Sequence, residues 1–352
     1  MKRINHLVLA PYTSFHCGGE AETALIQDEI APLTAAEIAP SNRPTWFLGF
    51  GANTLISDRG LPGTTYILRA GQIERQGTTL IADAGVWWDD LVQYAINRNL
   101  WGLEFMSAIP GNVGAGIVGN IAAYGQAVAD TLQWAEVLDT QTGEMRRLDV
   151  VQLEMTYRNC KYLQSRRHLL VLRGAFGLSP HPTKQLEYDS ALVVATEKNY
   201  DLTTLAGRRD TIVEARRRAG SLWDYRDEHA MRTAGSFFRN PMVAPDVAER
   251  IMSYDETHKS LELLRKMNTV HGGDATRVSA AHVLLAAGYQ RGQSWGDVRL
   301  HPSHVLKLEN AGNASAQDIY NAAHEIMATV RAKLGVQLDP EVRFLGEFDS
   351  SN

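Results

Sequence analysis

The chain has 352 residues, of which 44% are hydrophobic and 21% charged, a balance that excludes an intrinsically disordered protein and points to two or three domains. The formal net charge is -5, with no long basic block, which argues against nucleic acid as a partner. No apolar stretch approaches the roughly 18 residues of a membrane span, and the two cysteines, Cys17 and Cys160, make neither a metal pattern nor a disulfide framework.

The opening run Leu7–Ala10 is too short for a signal-peptide core, so a cytoplasmic protein is expected. Residues 1–70 read as a small α/β unit, with a helical pattern over Ala21–Ile38, an apolar run Trp46–Leu48 and strand signals at Tyr66–Leu68. From residue 71 a second α+β unit is expected. Thr79–Ala82 reads as a strand. Trp88–Asn97 reads as a helix, because Leu91, Val92, Ala95 and Ile96 fall on one stripe. Leu132–Leu138 and Glu144–Val150, joined by a glycine-containing loop, read as a β-hairpin, and Leu169–Arg173 as a further strand. Residues 206–335 are richer in helix. Ser315 with Asp318 gives a start signal, Ile319 to Leu334 repeat at helical spacing, and Gly335 stops the run. Leu338–Phe344 reads as a final strand that must return to an earlier sheet to satisfy its backbone groups.

Two glycine-rich stretches are candidates for holding phosphate. One is Gly49-Phe50-Gly51-Ala52-Asn53-Thr54-Leu55. The other runs from Ile109-Pro110-Gly111 through Val113, Gly114 and Gly116 to Asn120, Ala123, Tyr124 and Gly125. Glycine lets backbone N–H groups converge on an anion and lets the chain approach a flat cofactor. The first is a poor Rossmann fingerprint, since Thr54 stands where the third glycine belongs. The first stretch alone could also be a tight turn. The second holds five glycines between Gly111 and Gly125, more than one turn requires.

The order GFGANTL, GLEFMSAIPGNVGAGIVGNIAAYG, TYR, AGSFFRNP and DPEVRF resembles the UDP-N-acetylenolpyruvoylglucosamine reductase (MurB) family, from Tyr12 to Phe344. The resemblance implies an α+β chain. It would have two small FAD-binding subdomains of the vanillyl-alcohol-oxidase (PCMH) type, residues 1–70 and 71–220, and a separate α+β substrate-binding domain, residues 221–335. A tail, residues 336–352, would return to the catalytic site. It also implies noncovalent FAD, NADPH as hydride donor, and reduction of the enolpyruvyl ether of a UDP-sugar in peptidoglycan precursor synthesis. The flavin supplies hydride chemistry, and the protein supplies orientation and electrostatics.

Catalytic positions carry over by motif. Arg158, in Thr156-Tyr157-Arg158, matches an arginine able to grip a carboxylate through two parallel hydrogen bonds. Ser236, within Thr233–Asn240 (TAGSFFRN), matches the proton donor, and no nucleophile elbow surrounds it. Glu341 matches a glutamate that assists proton delivery or polarises the enol. Read alone, these three are an ordinary surface arginine, a turn serine and a partner for Arg343. Tyr157, Tyr188, Arg239 and Asn240 match positions near the substrate, His304 lies where the family has a substrate-domain strand and has a structural polar residue as its plainer reading, and histidine spacing gives no metal site.

The sequence departs from the family at Arg216–Asp224, where Ser221 and Trp223 stand for a lysine and a proline. Arg217 or Arg218 is the substitute cation expected there, a solvated helix face the plainer reading. Another flavin oxidoreductase of the same fold and a catalytically impaired nucleotide-sugar-binding homologue are the alternatives. A small-molecule substrate and a monomer are expected, without nucleic acid or a membrane span.

Overall fold

Leu132–Asp139 pairs antiparallel with Met145–Asp149, so the expected hairpin forms. Its loop has a local cause. One Asp139 carboxylate oxygen accepts from the amides of Gln141 at 2.9 Å and Thr142 at 3.2 Å, and Gly143 takes φ +78°.

The computed structural model describes residues 1–30, 38, 43–227, 229–254 and 276–349. The chain divides into two units: Met1–Leu7, Ala21–Gly51 and Leu61–Ala230 form the first, and Val8–Glu20, Ala52–Gly60 and Met231–Asn352 the second.

In the first unit the hairpin is part of a five-stranded sheet ordered Met145–Asp149, Leu132–Asp139, Leu169–Gly177, Thr79–Asp83, Ile73–Gln76. The helices Trp88–Ile96 and Val113–Gly119 contribute to the same core. Trp88 is fully buried edge-on to Phe176, and its indole N–H donates to the Met106 carbonyl at 3.1 Å, so its one polar atom is satisfied. A side chain at Gly114 would meet the Ala84 Cβ at 2.8 Å, so glycine is what lets the short helix lie this close.

A four-stranded sheet is ordered Lys2–Val8, Glu20–Gln27, Leu61–Leu68, Thr45–Leu48. Here one expectation is corrected. Glu20–Gln27 is a strand parallel to Leu61–Leu68, not the start of a helix, and residues 31–37 of that expected helix lie outside the described residues. Parallel strands bury both faces, so their apolar residues do not alternate and their spacing mimics a buried helix. The first unit also carries the helices Asp189–Lys198 and Leu205–Arg218, packed over Phe105 and Leu186.

The second unit is built on the strands Ser294–Trp295, Val298–His301 and His304–Asn310, with the helices Pro245–Met252, Ala280–Ala286 and Ala316–Leu334. The long helix starts with the reciprocal Ser315–Asp318 cap and stops at Gly335, φ +69°, as its sequence predicts. The expected tail strand Leu338–Phe344 is shorter and later: Arg343–Leu345 runs parallel to Thr54–Ile56. Pro340 has no N–H for a ladder and makes only an isolated bridge with Phe238. Among the described residues no helix is long and apolar enough to cross a membrane, and no His, Cys, Asp and Glu group is arranged to hold a metal.

Candidate active site

Within the first unit the two glycine-rich stretches meet at Asn112. A Cβ on Gly49 would lie 2.6 Å from the Asn112 amide nitrogen, so only glycine leaves room. Asn112 caps Val113–Gly119 by accepting from the Ala115 amide at 2.9 Å, and it donates to the Leu68 carbonyl at 2.9 Å. One side chain thus ties the Gly49 loop, the Leu61–Leu68 strand and the Ile109–Gly116 segment together. Gly111 (φ +125°) and Gly125 (φ +88°) have open space where a side chain would stand. Between them Tyr124 also has positive φ, +49°. Asn120, at φ +41°, braces this bend by donating to the Thr156 carbonyl at 2.7 Å and accepting from Ala129 at 3.0 Å. Ile109, Pro110 and Gly116 continue the stretch, Val113 is buried, and Ala123 belongs to the two-residue strand Ala122–Ala123. Phe50 packs on Trp87 and Tyr225, with ring centroids 4.8 and 4.3 Å apart. Backbone with open space beside it at Gly111 and Gly125 lets a flat dinucleotide such as FAD approach closely.

The unit boundary falls after Gly51. Ala52, Asn53, Thr54 and Leu55 therefore belong to the second unit, where Leu55 is core and Thr54 begins the strand that meets the tail.

Arg158 stands with Tyr157 in the turn between Met155–Thr156 and Asn159–Cys160, at φ +53°, unusual for a residue with a side chain. Its guanidinium lies over the Tyr157 ring at 5.9 Å. In the same unit Tyr124 meets Tyr188 edge-on at 5.5 Å, and Tyr188 precedes the helix Asp189–Lys198. Burial holds the Tyr124 phenol above its ordinary pKa, with Arg216 opposing and Tyr188 reinforcing, so the hydroxyl keeps its proton at neutral pH.

In the second unit the serine and glutamate motifs are joined by backbone pairing. Gly235 turns at φ +78°, and Phe237 and Phe238 are buried, which fixes Ser236 on the exposed side of the segment. The Phe237 amide donates to the Leu306 carbonyl at 2.8 Å, and the Phe237 carbonyl accepts from the Glu341 amide at 2.7 Å. Arg239 donates its amide to the Asp339 carbonyl at 2.9 Å, while the Asn53 side chain donates to the Glu341 carbonyl at 3.1 Å. Ser236 begins no helix. Asn240 accepts from the Ala280 amide at 2.9 Å and holds the start of Ala280–Ala286. His304 lies on the strand that receives Phe237. Burial, then Lys307, Arg291 and His301, bring it down to about 4, so it is neutral at physiological pH.

Residues 227–345 match the family model of the UDP-N-acetylenolpyruvoylglucosamine reductase C-terminal domain, and residues 33–149 match that of an FAD binding domain. The chain is 30% identical over 347 residues to the UDP-N-acetylenolpyruvoylglucosamine reductase of Streptomyces avermitilis, covering 96% of this chain and 93% of the relative. It is also 30% identical over 354 residues to reductase 2 of Corynebacterium glutamicum, covering 97% and 94%. The chain belongs to the UDP-N-acetylenolpyruvoylglucosamine reductase family. The crystal structure of the Thermus caldophilus reductase (MurB) superposes with a TM-score of 0.65 at 22% identity, covering 98% of each chain, which extends the likeness to the fold.

For this family member, an FAD-binding domain and a separate MurB C-terminal domain agree with the expected α+β architecture. In the arginine run the structure bears out the solvated helix face for Arg217 and Arg218, and not a substitute cation there. Arg217 and Arg218 do not face inward. Arg217 pairs with Glu214, and Arg218 with Glu214 and Glu197, at the surface. Arg216 is the inward residue. It follows buried Arg208 and Ile212 at intervals of four, a helical spacing that was present in the sequence. Asp89, which meets Arg209 with oxygen–nitrogen distances of 2.7 and 2.6 Å, gave no such signal, because its partner lies 120 positions away.

Proposed function

We propose that this chain reduces UDP-N-acetylglucosamine enolpyruvate to UDP-N-acetylmuramate. FAD, reduced by NADPH, would supply the hydride when bound. What carries the reading is the backbone pairing that sets the Ser236 turn against Glu341, together with membership of the reductase family.

The residues follow from what the reaction demands. Hydride addition to the methylene carbon leaves negative charge on the adjacent carbon and its carboxylate. Arg158 holds that carboxylate through two parallel hydrogen bonds. Ser236 then gives its proton to the carbanion-like carbon. A serine hydroxyl is a weak acid, so the transfer needs a strongly basic acceptor held close. Glu341 polarises the enol and supports proton delivery. Tyr157, Tyr188, Arg239, Asn240 and neutral His304 bind the nucleotide-sugar. A cytoplasmic location and a monomer complete the proposal.

The test is spectroscopic. The purified holoprotein is bleached anaerobically with NADPH, then given UDP-N-acetylglucosamine enolpyruvate. Recovery of the oxidised flavin spectrum with that compound is the expected result. A protein that takes up no FAD, or whose bleached form ignores the enolpyruvyl ether, would overturn the proposal.

A further inference from the structure

The helix Leu205–Arg218 turns three arginines inward, and they are not treated alike. Arg208 meets the Glu104 carboxylate at 3.0 Å and the carbonyls of Leu202 and Lys184 at 2.8 Å each. Arg209 grips Asp89 with two bonds, at 2.7 and 2.6 Å. Burial alone would raise the Asp89 carboxyl, yet this guanidinium holds it below its ordinary value.

Arg216 has no such partner. Its Nε donates to the Ala108 carbonyl at 3.2 Å and its Nη2 to the Ser221 carbonyl at 2.9 Å. Among the described residues no carboxylate pairs with it, although paired carboxylates serve the other two. Two of the five N–H donors of a guanidinium are thereby used. Burial lowers its pKa and the like charge of Arg158 adds to that, with Tyr124 and Asp89 opposing. A desolvated cation beside a second cation is costly unless an anion joins them. The side chain is half-buried, so part of it remains reachable.

The support beneath it is specific. Ala108 has φ +57°, a left-handed conformation that strains a residue with a Cβ. Its amide donates to the Asp89 carboxylate at 2.6 Å while its carbonyl receives Arg216. Asp89, itself fixed by Arg209, thus sets the strained peptide that aims the Arg216 guanidinium. A simple helix-terminal arginine would need no such support.

We infer that Arg216 is a second anion-binding residue of the first unit, its outer guanidinium edge holding a ligand oxygen that carries negative charge. This deepens the proposed function and rests on it. Two sources offer that chemistry: the carboxylate or diphosphate of the nucleotide-sugar, and the pyrimidine edge of the reduced flavin.

Arg216→Gln and Arg216→Lys holoproteins separate them. The affinity of the oxidised protein for UDP-N-acetylglucosamine enolpyruvate is read from perturbation of the flavin spectrum, and the flavin midpoint potential from spectroelectrochemical titration. Loss of one charged hydrogen bond predicts about tenfold or more in one of these quantities for Arg216→Gln. Tenfold weaker ligand binding at unchanged potential assigns the nucleotide-sugar. A potential lowered by about 30 mV, the equivalent of tenfold for two electrons, at unchanged ligand affinity assigns the flavin. Arg216→Lys keeps the charge and recovers part of either effect. If both quantities stay within twofold in both variants, the inference is overturned and Arg216 is a structural strut. If Arg216→Gln does not fold, the lysine variant decides on the same readouts, since losing the fork predicts a smaller shift of the same sign. The potential is measured without nucleotide-sugar, so a wrong substrate assignment would leave that arm intact.

Discussion

The amide of Glu341 donates to the carbonyl of Phe237 at 2.7 Å, one residue beyond Ser236. Asn53 donates its side-chain amide to the Glu341 carbonyl at 3.1 Å, so both peptide groups flanking the glutamate Cα are held. Backbone bonds that any residue type could form thus hold the main chain on both sides of this glutamate.

Ser236→Ala should leave flavin reduction by NADPH unchanged and slow reoxidation by the enolpyruvyl ether by about 10² to 10⁴, the usual contribution of a positioned proton donor. Stopped-flow measurement of the two half-reactions checks this. Equal slowing of both would remove Ser236 from its assigned role.

Gly49→Ala places a methyl 2.6 Å from the Asn112 amide, which already caps a helix and serves Leu68. The side chain of Asn112 cannot move without losing both bonds. FAD affinity, followed by fluorescence on titrating stripped protein, should fall at least tenfold, an estimate from the loss of about 1–3 kcal/mol in unmade hydrogen bonds. Unchanged affinity would mean that the two glycine-rich segments do not act together.

Glu104→Gln leaves buried Arg208 without its countercharge. Breaking such a pair costs about 3–5 kcal/mol, which thermal or urea unfolding of the FAD-free protein will register. Arg217→Ala, at an exposed pair, should change stability by about 0.5 kcal/mol or less. Similar losses in the two variants would contradict the assignment of inner and outer arginines.

His304 titrates near 4 in the folded chain against 6.5 when unexposed to the fold. The unfolded chain therefore binds the proton first, and stability is complete above pH 6.5 and declines as pH falls toward 4. The full effect is about 3 kcal/mol. Urea unfolding at pH 7 and pH 5 should show a decline that is reduced in His304→Gln. A decline of the same size in both would assign it to other groups.

Much of the fold was legible because its cues are local. The Asp139–Gly143 loop, the Ser315–Asp318 cap and the Gly335 stop each act within a few residues, and each element formed where expected. Glu20–Gln27 was misread because a strand buried between neighbours loses the alternation that marks a half-exposed one. The tail strand was misplaced because Pro340 and the bond from Glu341 to Phe237 divert the backbone before Arg343.

The sequence by itself determined the order of the motifs, and with it the family. The spacing that sets Arg216 on the face of Arg208 and Ile212 is also present in the sequence, but the expectation drawn there falls on Arg217 and Arg218. Only the tertiary structure decided which arginines found carboxylates. Arg208 meets Glu104 at a separation of 104 positions and Arg209 meets Asp89 at 120, while Arg216 meets two carbonyls. A charge pattern along a helix fixes which face a residue occupies. Which opposite charge waits on that face depends on segments brought there by packing, and no local rule carries that information.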